Sequence, residues 1–338
     1  MASCCTQNAI FEGHKNSLFY HPQGYYHTEM TFQQLEYIVS VDTHRHFVNA
    51  ATACGVTQST LSSTIAKLEQ EIDVVIFDRF KRPVEPTELG KRIISQAKVI
   101  LHNSQQLREM VQLEKESDIG NLLLGIIPSV SPYLYPGMAR YMREYCPNVH
   151  TTITENYAEA LIEKLQRAEI DMAILANTEF RDTNLLDIEL YTERFIAYVS
   201  PASSLWHREW LRPEDLQDGG IWAMRAFHDH YPQLSSVTHR ESFHNTTLDY
   251  GDLRTLISLV DKNGGYTLLP ELFRNVLSAE QQKNIRTIQG PKFYRSISLV
   301  IRQDYMRERM LNIIAEAVKR TVPGEMISQR LLKFKITL

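Results

Sequence analysis

Gln58, Ser59, Thr60, Ser62 and Ser63 crowd onto one side of a short stretch whose other side is apolar, and together they can read the edge of a base pair. An amide such as Gln58 can donate to and accept from adenine at once, and small hydroxyls let a backbone approach closely enough to do so. Lys67 on the same stretch, with Arg79, Lys81 and Arg82 just beyond it, suits phosphate oxygens. The chemistry offered is hydrogen bonding and charge pairing, not bond making.

Such side chains must be held on a rigid element. Phe47, Ala50, Ala51 and Cys54 recur at i, i+3, i+4 and i+7, one face of a short helix. Gly55 then allows a tight turn, and Thr57 can cap a second helix whose Leu61, Ile65, Leu68 and Ile72 share the opposite face. A preceding helix, Phe32 to Asp42, brings Phe32, Leu35, Ile38 and Val39 to the same core. After it come a strand-like run, Val74 to Phe77, and a basic hairpin, Asp78 to Pro83. The spacing predicts a winged helix-turn-helix over residues 30–86. A small helical domain with a solvated basic loop would share much of this pattern.

Thr87 to Glu116 reads as one helix, in which Ile93, Ala97, Ile100, Leu107 and Val111 form a seam broken by Ser104. At about 1.5 Å per residue it spans on the order of 40 Å, and such a seam calls for a partner. From Gly120 strands and helices alternate: Leu122 to Ile127, Tyr133 to Tyr145, Val149 to Thr154, Glu159 to Ala168 and Asp171 to Ala176. The pattern resumes at Phe195 to Ser200, Ile221 to Met224, Leu253 to Val260 and Tyr266 to Leu269. It closes with Ser296 to Arg302 and a helix from Asp304 to Lys319. That order predicts doubly wound α/β sheets, with the strand near Ser296 returning to the first subdomain.

Residues 30–86 resemble the DNA-binding domain of LysR-type transcriptional regulators. The resemblance is carried by Phe47, Ala50-Ala51, Val56-Thr57-Gln58, Leu61-Ser62, Ile65, Lys67-Leu68-Glu69, Phe77, Arg79, and Thr87 with Gly90. It continues to about Arg320, and Leu35 to Phe47 and Ile127 to Pro136 look most like the OxyR-type, peroxide-sensing branch. It implies a linker or dimerisation helix over 87–118 and a two-lobed, periplasmic-binding-protein-like effector domain over 119–322. Lobe I would be 119–192 plus 294–322, lobe II 193–293, and 323–338 a tail. In open α/β sheets ligands sit outside the carboxyl ends of strands, against helix N-termini. Free N–H groups and two hydroxyls at Ser129, Val130 and Ser131 suit a small anion or carboxylate, the resemblance implies an effector role for Ser129 and Ser131, and Asn177, Tyr198, His228 and Thr267 are further candidates by position. Plain capping of the helix that follows is the alternative role for the two serines, and capping and binding are compatible.

Departures are informative. Ser59 stands where the family has Pro, Ser63 and Thr64 follow Ser62 where a basic residue is frequent, and Asp73 replaces a Gly. The branch carries a reactive Cys after a His in the second lobe, and a resolving Cys later. Here His228 is followed by Asp229, and no Cys occurs after Cys146. The resemblance therefore implies no disulfide switch of that kind. Two other sensing routes stay open: metal binding by His228, Asp229 and His230, with His239 and His244 nearby, or oxidation of Cys54 or Cys146.

Composition sets the remaining bounds. The 338 residues are 43% hydrophobic and 22% charged, with a formal charge of −4. This argues against a protein that coats nucleic acid or a membrane surface, not against a local reader of DNA. Residues 30–85 hold five Lys or Arg against seven Asp or Glu, which predicts few phosphate contacts. Four scattered cysteines make neither a disulfide framework nor a zinc spacing and fit a reducing cytoplasm. No run spans a membrane, and residues 1–29 lack the features of a secretion signal. They match nothing, read as a translated upstream stretch or a native arm, and are expected to be disordered. No phosphate loop, nucleophile elbow or zinc-protease helix is present, and Gly264-Gly265 follows a helix, so no enzyme, cofactor or resident metal is expected. The expected partners are double-stranded DNA, the effector, RNA polymerase and a second copy, as a homodimer or homotetramer.

Overall fold

The computed structural model describes residues 30–113, 120–176, 184–216, 220–223, 252–290, 294–305 and 307–333. The chain divides into two compact units, with the boundary at Lys91/Arg92. Asn177, His228, Asp229, His230, the expected arm over 1–29 and the last five residues lie outside the described residues.

The first unit is built from helices α1 (Phe32–His44), α2 (Phe47–Ala53) and α3 (Gln58–Glu71), then strands β1 (Phe77–Asp78) and β2 (Glu85–Pro86). Thr31 and Gln34 form a capping box that fixes the start of α1. Leu35, Ile38, Ala50, Ala51, Leu61, Ile65 and Leu68 are buried as the periodicity marks, but Phe32 at the first turn of α1 is 51% exposed and Val39 half-buried, and Val41 takes their place in the core. Ile72 is only half-buried, because it is already the C-cap of α3. Thr87 caps the next helix, α4 (Glu88–Leu113), by accepting the Gly90 N–H at 2.9 Å. A Cβ at Gly90 would lie 2.1 Å from the Ile76 carbonyl oxygen, so only glycine permits the helix to start against the wing.

The second unit centres on one mixed sheet. Strands β3 (Gly120–Ile126), β4 (Val149–Glu155) and β5 (Met172–Ala176) are parallel, joined by α5 (Ser131–Tyr145) and α6 (Ala158–Gln166). β6 (Leu185–Val199) and β10 (Tyr294–Arg302) then cross antiparallel, with a register shift between Ile297 and Ser298. β10 pairs with β5, which returns the chain to the first lobe as expected. The far end of β6 carries β8 (Tyr266–Pro270) and β9 (Ile285–Ile288), and β7 (Trp210–Leu211) pairs with β9. Helix α7 (Leu253–Asn263) covers this second lobe through Leu253, Leu256, Ile257 and Val260. Helix α8 (Glu308–Thr321) packs on α5 so closely that a Cβ at Gly137 would meet the Thr321 side chain at 2.3 Å.

Two readings change in detail. The sheet is parallel only in its first three strands and at β7–β9, because the two crossing strands run against their neighbours. Ile221 makes only an isolated bridge to Tyr266 rather than opening a strand. The tail also gains structure: Leu331, on a short helix Gln329–Lys333, is fully buried.

Candidate DNA-reading and effector sites

The Thr57 hydroxyl accepts the Thr60 N–H at 3.2 Å and shares protons with the Ser59 and Thr60 hydroxyls at 2.9 and 2.8 Å. Ser63 and Thr64 donate back to the Thr60 carbonyl, which leaves the Ser63 oxygen free to accept. Gln58, at the first turn of α3, is exposed, and its amide has no partner among the described residues. Ser59, Thr60 and Ser63 are exposed beside it, whereas Ser62 is half-buried and lies 3.4 Å from an Arg79 nitrogen. Four of the five residues expected to read bases are therefore exposed on α3, and Ser62 is half-buried.

Glu69, on the buried-side shoulder of α3, ties the wing to that helix. One carboxylate oxygen accepts the N–H groups of Ile76 and Phe77 at 2.7 and 3.2 Å, and the other takes Arg79 at 2.8 Å. The Arg79 guanidinium also lies over the Phe47 ring at 5.4 Å. Lys81 pairs with Glu85 across the hairpin at 2.6 Å, which lifts the lysine pKa and lowers that of the glutamate. Arg45 pairs with Asp42, and Lys67 lies 3.6 Å from Glu71. Of the five Lys and Arg in residues 30–86, Arg82 alone has no ion pair among the described residues. Residue counting missed this, since it does not say which cations the helices and the folded hairpin bring beside a carboxylate.

In the second unit, the segment after β3 is bonded inward. The Ser129 hydroxyl accepts from Arg295 at 3.0 Å, and the Ser131 hydroxyl donates to Glu155 at 2.5 Å. Val130 is buried and precedes α5 without a side-chain cap. The Tyr198 hydroxyl donates to Asp261 at 2.6 Å and accepts from Asn284, and Thr267 donates to the Trp222 carbonyl. Burial first, and then the Asp261 hydrogen bond, push the Tyr198 pKa up to about 12.

Arg295 and Glu193 form the centre that the sequence reading missed. Both side chains are fully buried, on the adjacent crossing strands β10 and β6, and meet at 2.9 Å. Arg295 also donates to the Ser129 carbonyl and the Tyr133 hydroxyl, and its guanidinium lies 5.9 Å from the Phe195 ring centre. Tyr133 donates to Glu193 at 2.6 Å, Tyr191 donates to Tyr133, and the Leu272 N–H reaches the second Glu193 oxygen. Burial drives the Tyr133 pKa well above its ordinary value. Glu193 and Arg295 lie just before the apolar runs that begin at Phe195 and Ser296, among other charges, so nothing local marked them as buried partners.

A cavity of about 570 Å³ lies elsewhere in this unit, lined by Gln96, Val99, Gln166, Leu185, Arg302 and Asp304. None of the expected effector residues lines it. Burial works to raise the Asp304 pKa, but hydrogen bonds from Arg302 and Asn103 outweigh it and hold the group low. On the same helix α4, Ile100 and Leu107 are 44% and 51% exposed, while Gln106 is buried. Cys146 is buried, which raises its thiol pKa and makes it a poor thiolate. Among the described residues no His, Cys, Asp or Glu cluster could hold a metal, and no helix is long and apolar enough to cross a membrane.

A helix-turn-helix head followed by a two-lobed α/β unit defines a ligand-responsive DNA-binding regulator, and the chain belongs to the LysR family of transcription regulators. Residues 115–322 match the LysR substrate binding domain, and residues 32–91 the bacterial regulatory helix-turn-helix protein, lysR family. The chain is 29% identical to the hydrogen peroxide-inducible genes activator of Haemophilus influenzae over 314 residues, covering 87% of this chain and 99% of that protein. It is 28% identical over 300 residues to the DNA-binding transcriptional dual regulator OxyR of Escherichia coli K12, covering 87% and 97%. Among solved structures it is similar to full-length OxyR of Pseudomonas aeruginosa with a cysteine replaced by aspartate. The TM-score is 0.75 at 27% identity, covering 90% of this chain and 99% of that one.

Proposed function

We propose that this regulator reads operator DNA with Gln58, Ser59, Thr60, Ser62 and Ser63 of α3 in the major groove. Lys67, Arg79, Lys81 and Arg82 face the phosphates, as a homodimer or homotetramer acting with RNA polymerase in the cytoplasm. The observation that carries this is the free, exposed Gln58 amide at the start of a helix whose opposite face is wholly buried. Exposed Ile100 and Leu107 on α4 suit a seam shared with a second copy. The chain performs no catalysis. Its effector is a small anion or carboxylate bound at the carboxyl end of β3, near Ser129 to Ser131. An anion there competes with Ser129 for Arg295 and so acts on the strands that join the lobes. Asn177, Tyr198, His228 and Thr267 remain further effector candidates. A thiol pair in the second lobe plays no part, because the chain has no Cys beyond Cys146.

The test is a titration of the purified protein against its own upstream intergenic DNA and against random duplex, across a salt series. Specific binding is expected to persist, with a shallow salt slope because four of the five cations are already paired. Indistinguishable binding to both duplexes would refute the reading. Small carboxylates and peroxide added to the same titration assign the effector class.

A further inference from the structure

The tip of the wing presents a side chain that none of the above uses. Phe80 is 100% exposed, whereas the next most exposed large apolar side chain among the described residues, Val75, is 63% exposed. A wholly bare phenyl ring forfeits the burial that places most aromatics inside a fold. Its placement is fixed rather than incidental. The Asp78 carboxylate accepts the Phe80 N–H at 3.0 Å, which shapes the tip. Lys81 and Glu85 close the hairpin, the Val84 N–H is held by the Arg45 carbonyl, and Glu69 bolts the first strand to α3. The ring is thus carried at a set position relative to the helix that reads bases.

The surroundings choose the partner. Arg79, Lys81 and Arg82 flank the ring within two residues, and Arg82 has no ion pair among the described residues. Lysine is depleted in the cores of protein–protein interfaces, and a single ring among cations makes no contiguous apolar patch. A polyanion with apolar faces between its charges fits both features, and duplex DNA is such a partner. Apolar side chains presented among cations enter the minor groove and part a base step, most readily at flexible pyrimidine–purine steps.

We infer that Phe80 is a wedge that inserts into the minor groove beside the half-site read by α3, unstacking one step and bending the duplex. Arg82 holds the adjacent phosphate. This rests on the DNA-reading proposal above and adds a specificity that needs no base hydrogen bond.

The experiment uses the full-length chain and a duplex that it selects from a random-sequence pool, with 2-aminopurine placed in turn at pyrimidine–purine steps flanking the α3 contact. The wild type is expected to raise 2-aminopurine fluorescence at one such step per half-site and to bend the duplex. Phe80→Ala is expected to lose that rise and most of the bend, and to bind about tenfold more weakly, the scale of withdrawing one apolar ring from cover. Phe80→Trp is expected to keep all three. Both variants should melt at the wild-type temperature, because the ring touches nothing in the free protein. Phe80→Ala that binds and bends as wild type overturns the wedge and leaves base reading by α3 intact. So does a variant that melts lower, or one that alters only the oligomeric state seen by ultracentrifugation. A wild type that selects no sequence at all overturns both proposals.

Discussion

The two units use their polar residues in opposite ways. On α3 the Gln58 amide, unengaged among the described residues, and three of the four hydroxyls stand in the open. In the α/β unit the hydroxyls expected to meet an effector are already bonded inward, to Arg295, Glu155, Asp261 and the Trp222 carbonyl. The exposed hydroxyls of α3 bond only within the first turns of their own helix, so nothing in the core has to unpack to free them. The α/β set is a closed network, so a ligand acts there by exchanging one hydrogen bond for another. A reader of DNA can be stiff, and a sensor must have two arrangements close in free energy.

The contrast can be broken most forcefully at the buried ion pair. Arg295→Ala should destabilise the α/β unit by about 3–5 kcal/mol, because Glu193 is left charged and unpaired in the interior. Replacing both together, Arg295→Met with Glu193→Leu, should recover most of that loss. Urea unfolding followed by tryptophan fluorescence reads both, and equal instability of the single and double replacements would show that packing, not charge, dominates. Gly90→Ala should act on the other unit alone. The added Cβ has nowhere to go beside the Ile76 carbonyl, and overpacking of this kind costs roughly 1–3 kcal/mol. Calorimetry should show the helix-turn-helix melting earlier while the α/β transition stays in place.

Gln58→Ala should leave both transitions untouched and weaken operator binding by about 1–3 kcal/mol, with little change on random DNA, as expected for a bidentate base contact. Equal losses on the two duplexes at fixed salt would remove its base-reading role. The smallest effect is at high pH. Tyr198 is held neutral up to about pH 12, above its ordinary 10, so the unfolded chain ionises first and stability falls as pH rises through that window. Below pH 10 the phenol is protonated in both states and the stabilisation is complete. Tyr198→Phe should flatten the fall between about pH 10 and 12 in thermal melts without abolishing it, because Tyr133 and Tyr266 are shifted the same way.

What could be foreseen from sequence follows the range of the contacts. The helix-turn-helix core is a matter of residues three and four apart, and Ala50, Leu61, Ile65 and Leu68 are buried as their spacing requires. The return of β10 to the first lobe was foreseen as well, through the two-lobed arrangement that the family resemblance implies. The joining ladder was not. β6 begins at Leu185, ten residues before its apolar stretch, because its first half is held by pairing to β10 rather than by its own hydrophobicity. Tyr133, Glu193 and Arg295 are separated by 60 and 102 residues, so no local period marks them as one group. Pairing of the wing cations escaped for a related reason, since Arg79 and Glu69 meet only once the hairpin folds back on α3.

Because β6 and β10 run through both lobes as partnered strands, the lobes share a torsion element rather than a pair of loose tethers. A change in the angle between lobes must be absorbed as twist along rungs from Leu185 to Arg194, and the irregular rung at Ile297/Ser298 is where such a ladder yields first. The Arg295–Glu193 pair sits two residues beyond that rung, on the side nearer the second lobe. An effector that loosens one hydrogen bond at Arg295 would therefore soften a spring rather than open a gate. The response transmitted would be graded in angle, set by how far the ladder rewinds.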